Sequence, residues 1–187
     1  MDKLFFFVTN SDAWKNYRDF HENFFVTHKA FLYGFLLALI VALLLAVIYY
    51  FGCCNSKREN KLATVPTWCG FLVATALITF LVANFVFIGK SSTTETSSIF
   101  YKNSFYNANK QFVVDKTKGN PAEQIVAKYT KDKTQIDKNL DSGKDVRYPY
   151  SIGCAVYSLL FFYLLSLLFK GFTYQGVAIP HQWPHKS

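Results

Sequence analysis

Three long stretches of this chain contain no acidic or basic residue. They cover residues 30–56, 62–89 and 148–169, and each is rich in Leu, Ile, Val, Phe and Ala. A helix needs about 20 consecutive apolar residues to cross the hydrocarbon core of a bilayer, and every stretch is longer than that. Only 17% of the 187 residues are charged, against about 25% in ordinary soluble domains. The pattern excludes a single soluble globular domain and predicts a polytopic membrane protein.

The predicted fold is all-α, with three transmembrane helices, an N-terminal amphipathic interfacial helix and a small segment of mixed helix and loop. Charged and aromatic residues at the ends of each apolar stretch set the boundaries. These boundaries give an interfacial tail (1–29), a first span (30–51), a short basic connector (52–67), a second span (68–89), a soluble segment (90–147), a third span (148–169) and a C-terminal tail (170–187).

The first span carries small residues at a regular spacing. Ala30, Gly34, Ala38, Ala42 and Ala46 follow one another every four residues, and no other Gly, Ala or Ser lies between residues 30 and 51. Lipid gives two helices no hydrophobic reason to associate, so close backbone approach and dispersion contacts must hold them together. We therefore predict that this face packs against another helix, in this chain or in a second one.

The other two spans carry similar sets of small or hydroxylated residues. In the second span these are Ala76, Thr79 and Ala83, and in the third they are Ser151, Ala155, Ser158 and Ser166, with Phe162 on the same face. Such faces favour packing between helices. The alternative for the third span is a line of hydroxyl groups that faces a lumen when several copies assemble.

Aromatic residues near the ends of the spans are predicted to lie at the membrane interface, where Trp and Tyr are enriched. Asn10 or Ser11 is expected to cap a helix that reaches about His28, with its aromatic side chains on one face. That face lies either on the membrane or on a partner subunit. The predicted interfacial residues are Trp14, Tyr17, Phe20, Phe24, Tyr49, Tyr50, Trp68 and Trp183.

Residues 90–147 form the only sizeable segment between spans that is not apolar. A short strand is predicted at Phe112–Val114 and a helix at Ala122–Lys131, where Asn120 and Pro121 give a helix start. The segment has few large apolar residues, so burial of its side chains offsets little of its conformational entropy. We expect it to be largely unfolded alone and to pack on the N-terminal helix, the membrane or a partner.

No pattern in the sequence predicts catalysis, a cofactor or a metal site. His181 and His185 are four residues apart, but Pro184 between them disfavours a helix. Asp137, Asn139 and Asp141 resemble the start of a calcium loop, but the Gly and Glu that should follow are missing. No span contains an ionisable Asp, Glu, Lys, Arg or His, which disfavours a proton-coupled pump. No segment has the dense basic character of a nucleic-acid surface.

The sequence therefore favours a non-enzymatic integral membrane subunit that anchors or scaffolds a larger assembly through small-residue helix packing. Its expected partners are the lipid bilayer and other membrane-protein subunits, in a hetero-oligomer rather than a homo-oligomer. The alternative is a homo-oligomeric channel or pore with the serine side of the third span facing the lumen. We expect a multi-pass protein of the bacterial cytoplasmic (inner) membrane, with a cytoplasmic N-terminus because more Lys and Arg flank the spans on that side. The alternative is an N-terminus on the outside, because the Ser/Thr-rich, cysteine-free segment 90–147 would equally suit an exterior domain.

Overall fold

A computed structural model describes residues 2–16, 18–27, 29–54, 63–84 and 143–173, together with the single residues 112, 115 and 118. Within these residues every regular element is helical and no strand occurs. The all-α prediction is confirmed for this part of the chain. The strand predicted at Phe112–Val114 is wrong at Phe112, which is helical. The Phe112 ring packs edge-on against Phe20 at 6.2 Å between centroids, a tertiary contact that local β-propensity does not register.

The N-terminal segment is a series of short helices. A 3-10 helix at Asp2–Phe5 is followed by α1 (Phe6–Thr9), α2 (Asp12–Asn16), α3 (Arg18–Glu22) and a π-helix at Asn23–Thr27. Ser11 caps α2, because its Oγ accepts a hydrogen bond from the backbone N–H of Trp14 at 3.2 Å, as predicted. The described residues of the helix predicted up to about His28 are helical, at 12–16 and 18–27, with the last part in π form. Tyr17 and His28 lie outside the described residues.

Three long helices follow. Helix α4 covers Ala30–Val47 and continues as a π-helix over Ile48–Cys53, α5 covers Val65–Val82, and α6 covers Gly143–Phe169 with a 3-10 turn at Lys170–Phe172. Lys29, with φ at 59°, separates the N-terminal π-helix from α4. The helical stretches Ala30–Cys53, Val65–Val82 and Val146–Phe172 are long and apolar enough to cross a membrane, so the three predicted spans are present as helices.

The ends of the helices differ from the predicted boundaries. Helix α5 begins at Val65 rather than at residue 68, with Pro66 in its first turn, where a missing backbone N–H costs nothing. Helix α6 begins at Gly143 rather than at residue 148, and Pro149 lies inside it. The soluble segment 90–147 lies outside the described residues except for Phe112, Asp115, Lys118 and residues 143–147, and the helix predicted at Ala122–Lys131 is not among them.

The chain divides into two compact units. The first combines Met1–Gly34 with Leu81–Ile152, and the second combines Phe35–Phe80 with Gly153–Ser187. The first unit has an aromatic core, to which the N-terminal helices contribute. The second has a core in which small residues of α4 contact aromatic side chains.

Candidate functional site

The core of the second unit brings small and large side chains together. Ala42 and Ala46, both fully buried, pack in one cluster with Trp68 and Phe162. An alanine in such a place lets a large ring approach the helix backbone closely, which maximises dispersion contact where lipid supplies no hydrophobic drive. The small residues of the first span therefore have neighbours within the chain itself.

One hydrogen bond crosses this core. The Trp68 Nε1–H donates to Ser166 Oγ at 3.0 Å, and the Ser166 hydroxyl donates to the carbonyl oxygen of Phe162 at 2.7 Å. Trp68 is 9% exposed and Ser166 is fully buried. A buried indole N–H without an acceptor is costly in apolar surroundings, so Ser166 both satisfies this donor and ties α5 to α6.

The same core holds two tyrosines and a cysteine near the end of the π-helix Ile48–Cys53. The Tyr49 hydroxyl donates to the carbonyl oxygen of Thr64 at 3.2 Å, and the rings of Tyr49 and Tyr50 meet edge to face at 5.0 Å. Cys54 is fully buried beside them. Burial raises the pKa of the Cys54 thiol, while a hydrogen bond with Tyr49 acts in the opposite direction. Cys54 is consequently a poorly ionised thiol at neutral pH.

The core of the first unit is an aromatic cluster centred on Phe31. The rings of Phe5, Phe25 and Trp14 lie 4.8, 4.9 and 5.7 Å from the Phe31 ring between centroids. The Tyr150 ring lies 5.2 Å from Phe25, and its hydroxyl donates to the Ala30 carbonyl oxygen at 2.6 Å. This bond and these ring contacts attach the N-terminal helices to the first turn of α4 and to α6.

The predicted packing residues lie mostly inside the fold. Fully or almost fully buried are Ala30, Gly34, Ala38, Ala42, Ala46, Thr79, Ala83, Ser151, Ser158 and Ser166, while Ala76 and Ala155 are half-buried. The hydroxyls of Ser151 and Ser158 donate to carbonyl oxygens of their own helix, at Arg147 (2.9 Å) and Ala155 (2.7 Å). Whether any of these residues contacts a second chain stays a prediction.

The predicted interfacial aromatics are also buried. Exposure is 9% or less for Trp14, Phe20, Phe24, Tyr49, Tyr50 and Trp68, and Tyr17 and Trp183 lie outside the described residues. The rings stack on one another and on this chain's own helices, because aromatic pairs bury large areas at specific geometries. Their contact with lipid headgroups stays a prediction.

The buried positions of α4 and α6 extend the spacing of four beyond the residues predicted from sequence. The buried row of α4 continues past Ala46 to Tyr50 and Cys54, and that of α6 comprises Tyr150, Cys154, Ser158, Phe162, Ser166 and Lys170. Tyr150 and Cys154 were missed because only Gly, Ala, Ser and Thr were taken as marks of a packing face. Counting every fourth position from Ser166 back towards the N-terminus finds both. Rows at i±4 are the ridges along which helices commonly pack.

The opposite faces of the three helices are apolar and exposed. These outward rows also run every four residues: Leu36, Ile40, Leu44 and Ile48 along α4 and its π-helix, Val73, Leu77 and Leu81 on α5, and Ile152, Val156, Leu160, Leu164 and Leu168 on α6. Leu44, Leu77 and Leu168 are 57–58% exposed. Hydroxyl groups and small residues thus lie inside, while large aliphatic residues lie outside.

Chemical groups suited to a metal do not converge in the described part of the chain, which holds no cluster of three His, Cys, Asp or Glu side chains. The segments around Asp137 and around His181 lie outside it. Compared with known protein families, curated proteins and solved structures, the chain matches none of them. Its function is therefore inferred from the arrangement of its own residues.

Proposed function

We propose that this chain is a non-enzymatic integral membrane protein whose helices α4, α5 and α6 cross the bilayer, and that it anchors or scaffolds a larger membrane assembly. The observation that carries the proposal is the opposition of two rows on each helix. Hydroxyl groups and small residues are buried, and the large aliphatic residues of the outward rows are exposed.

Exposed aliphatic rows of this length favour lipid over water. Burying a Leu, Ile or Val side chain away from water is worth about 1.5–3 kcal/mol, and twelve such residues make up the three outward rows. Monomeric soluble proteins rarely expose contiguous apolar patches of such extent. In a bilayer, exposure of these rows to lipid tails carries no free-energy penalty. The buried serines already donate hydrogen bonds to backbone carbonyl oxygens, as polar groups in a lipid environment must.

The scaffolding role is supported by which surfaces remain available. The small residues of α4 already pack against other side chains of the same chain. A neighbouring subunit would therefore contact the outward rows. On α6 the outward row Val156, Leu160 and Leu164 forms an i±4 ridge, the shape that fits the grooves of another helix. We propose that the protein belongs to the bacterial cytoplasmic membrane and has its N-terminus in the cytoplasm, an orientation that the distribution of Lys and Arg around the spans favours.

The channel alternative is less well supported. A serine that lines a pore between copies must be exposed on the single chain, yet Ser151, Ser158 and Ser166 are fully buried. Their hydroxyl protons are also committed to backbone carbonyl oxygens. A pore lined by these side chains would require α6 to rotate and its core to be rebuilt.

Native mass spectrometry of the full chain, extracted from its own membrane in a mild detergent, tests the proposal. Complexes that contain other subunits at fixed stoichiometry support a scaffold. A closed homo-oligomer that conducts ions in planar bilayers overturns it in favour of a channel, and a lone monomer under conditions that preserve known complexes overturns the scaffolding role. Val156→Ala together with Leu160→Ala should loosen the complex, because the two substitutions flatten the outward row of α6.

A further inference from the structure

The N-terminal segment encloses a groove of about 480 Å³. Its walls come from the 3-10 helix Asp2–Phe5, from α1, α2 and α3, and from the π-helix Asn23–Thr27. Because every residue described in its lining lies between Lys3 and Val26, the groove belongs to the first unit alone.

The groove is lined by more positive than negative charge. Lys3, Lys15 and Arg18 contribute cations, and Glu22 contributes a carboxylate. Arg18 Nε lies 2.6 Å from Glu22 Oε1, and this partner raises the pKa of Arg18, which stays fully charged. Lys15 Nζ lies 3.7 Å from the Asp12 carboxylate. Ion pairs this exposed are weak because water and salt screen them, so an incoming anion can compete for both cations.

The same groove has apolar edges. Phe6 and Val26 line it and are 63% and 52% exposed. Val26 is followed four residues later by Ala30, where α4 begins, so insertion of α4 brings the groove to the level of the lipid headgroups. A ligand that can contact both the cations and the apolar side chains of the groove has a phosphate anion joined to an acyl chain.

We propose that this groove binds the phosphodiester headgroup of an anionic phospholipid through Lys3, Lys15 and Arg18, with Phe6 and Val26 against the upper acyl chain. The inference rests on the proposed membrane insertion, which sets the depth of the groove. A soluble phosphate offers the same anion but leaves the two apolar side chains in water, so we expect it to bind much more weakly.

The test is native mass spectrometry of the purified full chain in detergent, titrated separately with phosphatidylglycerol and phosphatidylcholine. We expect phosphatidylglycerol to be retained at least fivefold more tightly. Removing a cation near a lipid surface costs about fivefold in affinity, so Lys15→Gln should lower phosphatidylglycerol retention by about that factor. The matched control is Lys118→Gln, because Lys118 is also paired with an Asp three residues earlier and its side chain is 66% exposed, against 64% for Lys15.

A second variant and a competitor complete the test. Phe6→Ser, at an exposed position, should weaken retention of phosphatidylglycerol without unfolding the chain, and glycerol phosphate at the same headgroup concentration should not displace the lipid. Equal retention of the two lipids, or an equal effect of Lys15→Gln and Lys118→Gln, overturns the proposal. Displacement by glycerol phosphate reassigns the groove to a soluble anion. Membrane crossing is assayed separately by resistance to alkaline extraction, so failure of the lipid site and failure of the proposed function give different results.

Discussion

The indole of Trp68 donates a hydrogen bond to the hydroxyl of Ser166 across 3.0 Å, although the two residues are 98 positions apart in the chain. Trp68 lies in the first turn of α5 and Ser166 in the last turn of α6. From the sequence alone, Trp68 is predicted to lie at the lipid interface and Ser166 in the contact between two helices, which we call the seam. The bond makes the tryptophan part of that seam.

Ser166→Ala should destabilise the protein more than a serine substitution elsewhere on α6. It removes the acceptor and leaves the buried Trp68 N–H unsatisfied, at a cost of about 1–3 kcal/mol. Ser158→Ala is the matched control, because Ser158 is equally buried and its hydroxyl donates to Ala155 in its own helix. Unfolding in mixed micelles, followed by circular dichroism, measures both.

A double-mutant cycle with Trp68→Phe isolates the bond itself. Hydrogen bonds within helical membrane proteins average about 0.6 kcal/mol in such cycles and reach about 1.7. A coupling energy in that range is expected between positions 68 and 166. Additive single effects would show that the two side chains do not interact in the folded protein.

Ala42→Leu should destabilise the second unit, although leucine is more hydrophobic and inserts well. Ala42 is fully buried against a cluster that contains Trp68 and Phe162, and overpacking such a site costs about 1–3 kcal/mol. Leu44→Ala, on the outward row of the same helix and 58% exposed, should change stability much less. Thermal unfolding of the two variants in the same detergent measures both effects. A lower unfolding temperature for Leu44→Ala than for Ala42→Leu would mean that the small residues do not form the core.

The three helices could be predicted because membrane spans are long and free of charge, and because small residues spaced by four mark a packing face. A helix cap was likewise predicted at Asn10 or Ser11, since the residues after them have helical spacing, and Ser11 is the one whose side chain caps the helix. The third span is predicted to end at residue 169 because Lys170 follows it; the α-helix α6 ends at Phe169 and a 3-10 turn continues to Phe172.

What the sequence could not predict depends on contacts between distant residues. The charge of Arg147 sets the predicted start of the third span at residue 148, but α6 extends back to Gly143 and contains Pro149. Aromatic residues near a span look the same whether they face lipid headgroups or stack on Phe31, since both environments suit a large ring with a polar edge. The groove along the N-terminal segment depends on the turn at Asn10 and Ser11 between α1 and α2, and on side chains from Lys3 to Val26 that come together only in the folded chain.

Tyr150→Phe should weaken the attachment of the N-terminal segment to the long helices. The hydroxyl donates to the Ala30 carbonyl oxygen at 2.6 Å and is buried, and loss of such a bond costs about 0.5–1.5 kcal/mol. Limited proteolysis of the first 29 residues is the sensitive measurement, with cleavage expected to accelerate. Tyr148→Phe, at a 53% exposed position, provides the comparison, and equal cleavage rates in the two variants would contradict the assigned role.

Cys54 should react with a soluble maleimide far more slowly than Cys69. Cys54 is buried and Cys69 is exposed. Burial raises the Cys54 pKa, which shrinks the thiolate fraction at any given pH, and the thiolate is the nucleophile. Its labelling rate should therefore keep rising above pH 8.5, the ordinary pKa of a cysteine. Tandem mass spectrometry of the wild-type chain resolves each site, and faster labelling of Cys54 at pH 7 would show that this core is open.

The opposition of buried and outward rows across a bilayer is tested most directly with a carbene-generating diazirine reagent that partitions into the membrane. The full chain is reconstituted in liposomes, irradiated and mapped by mass spectrometry at single-residue resolution. We predict label on Leu44, Leu77 and Leu160, all at least 50% exposed, and little on Ala42, Thr79 and Ser158, all fully buried. Label on the buried set but not on the outward set would reverse the packing, and absence of label from all three helices would contradict their insertion into the bilayer.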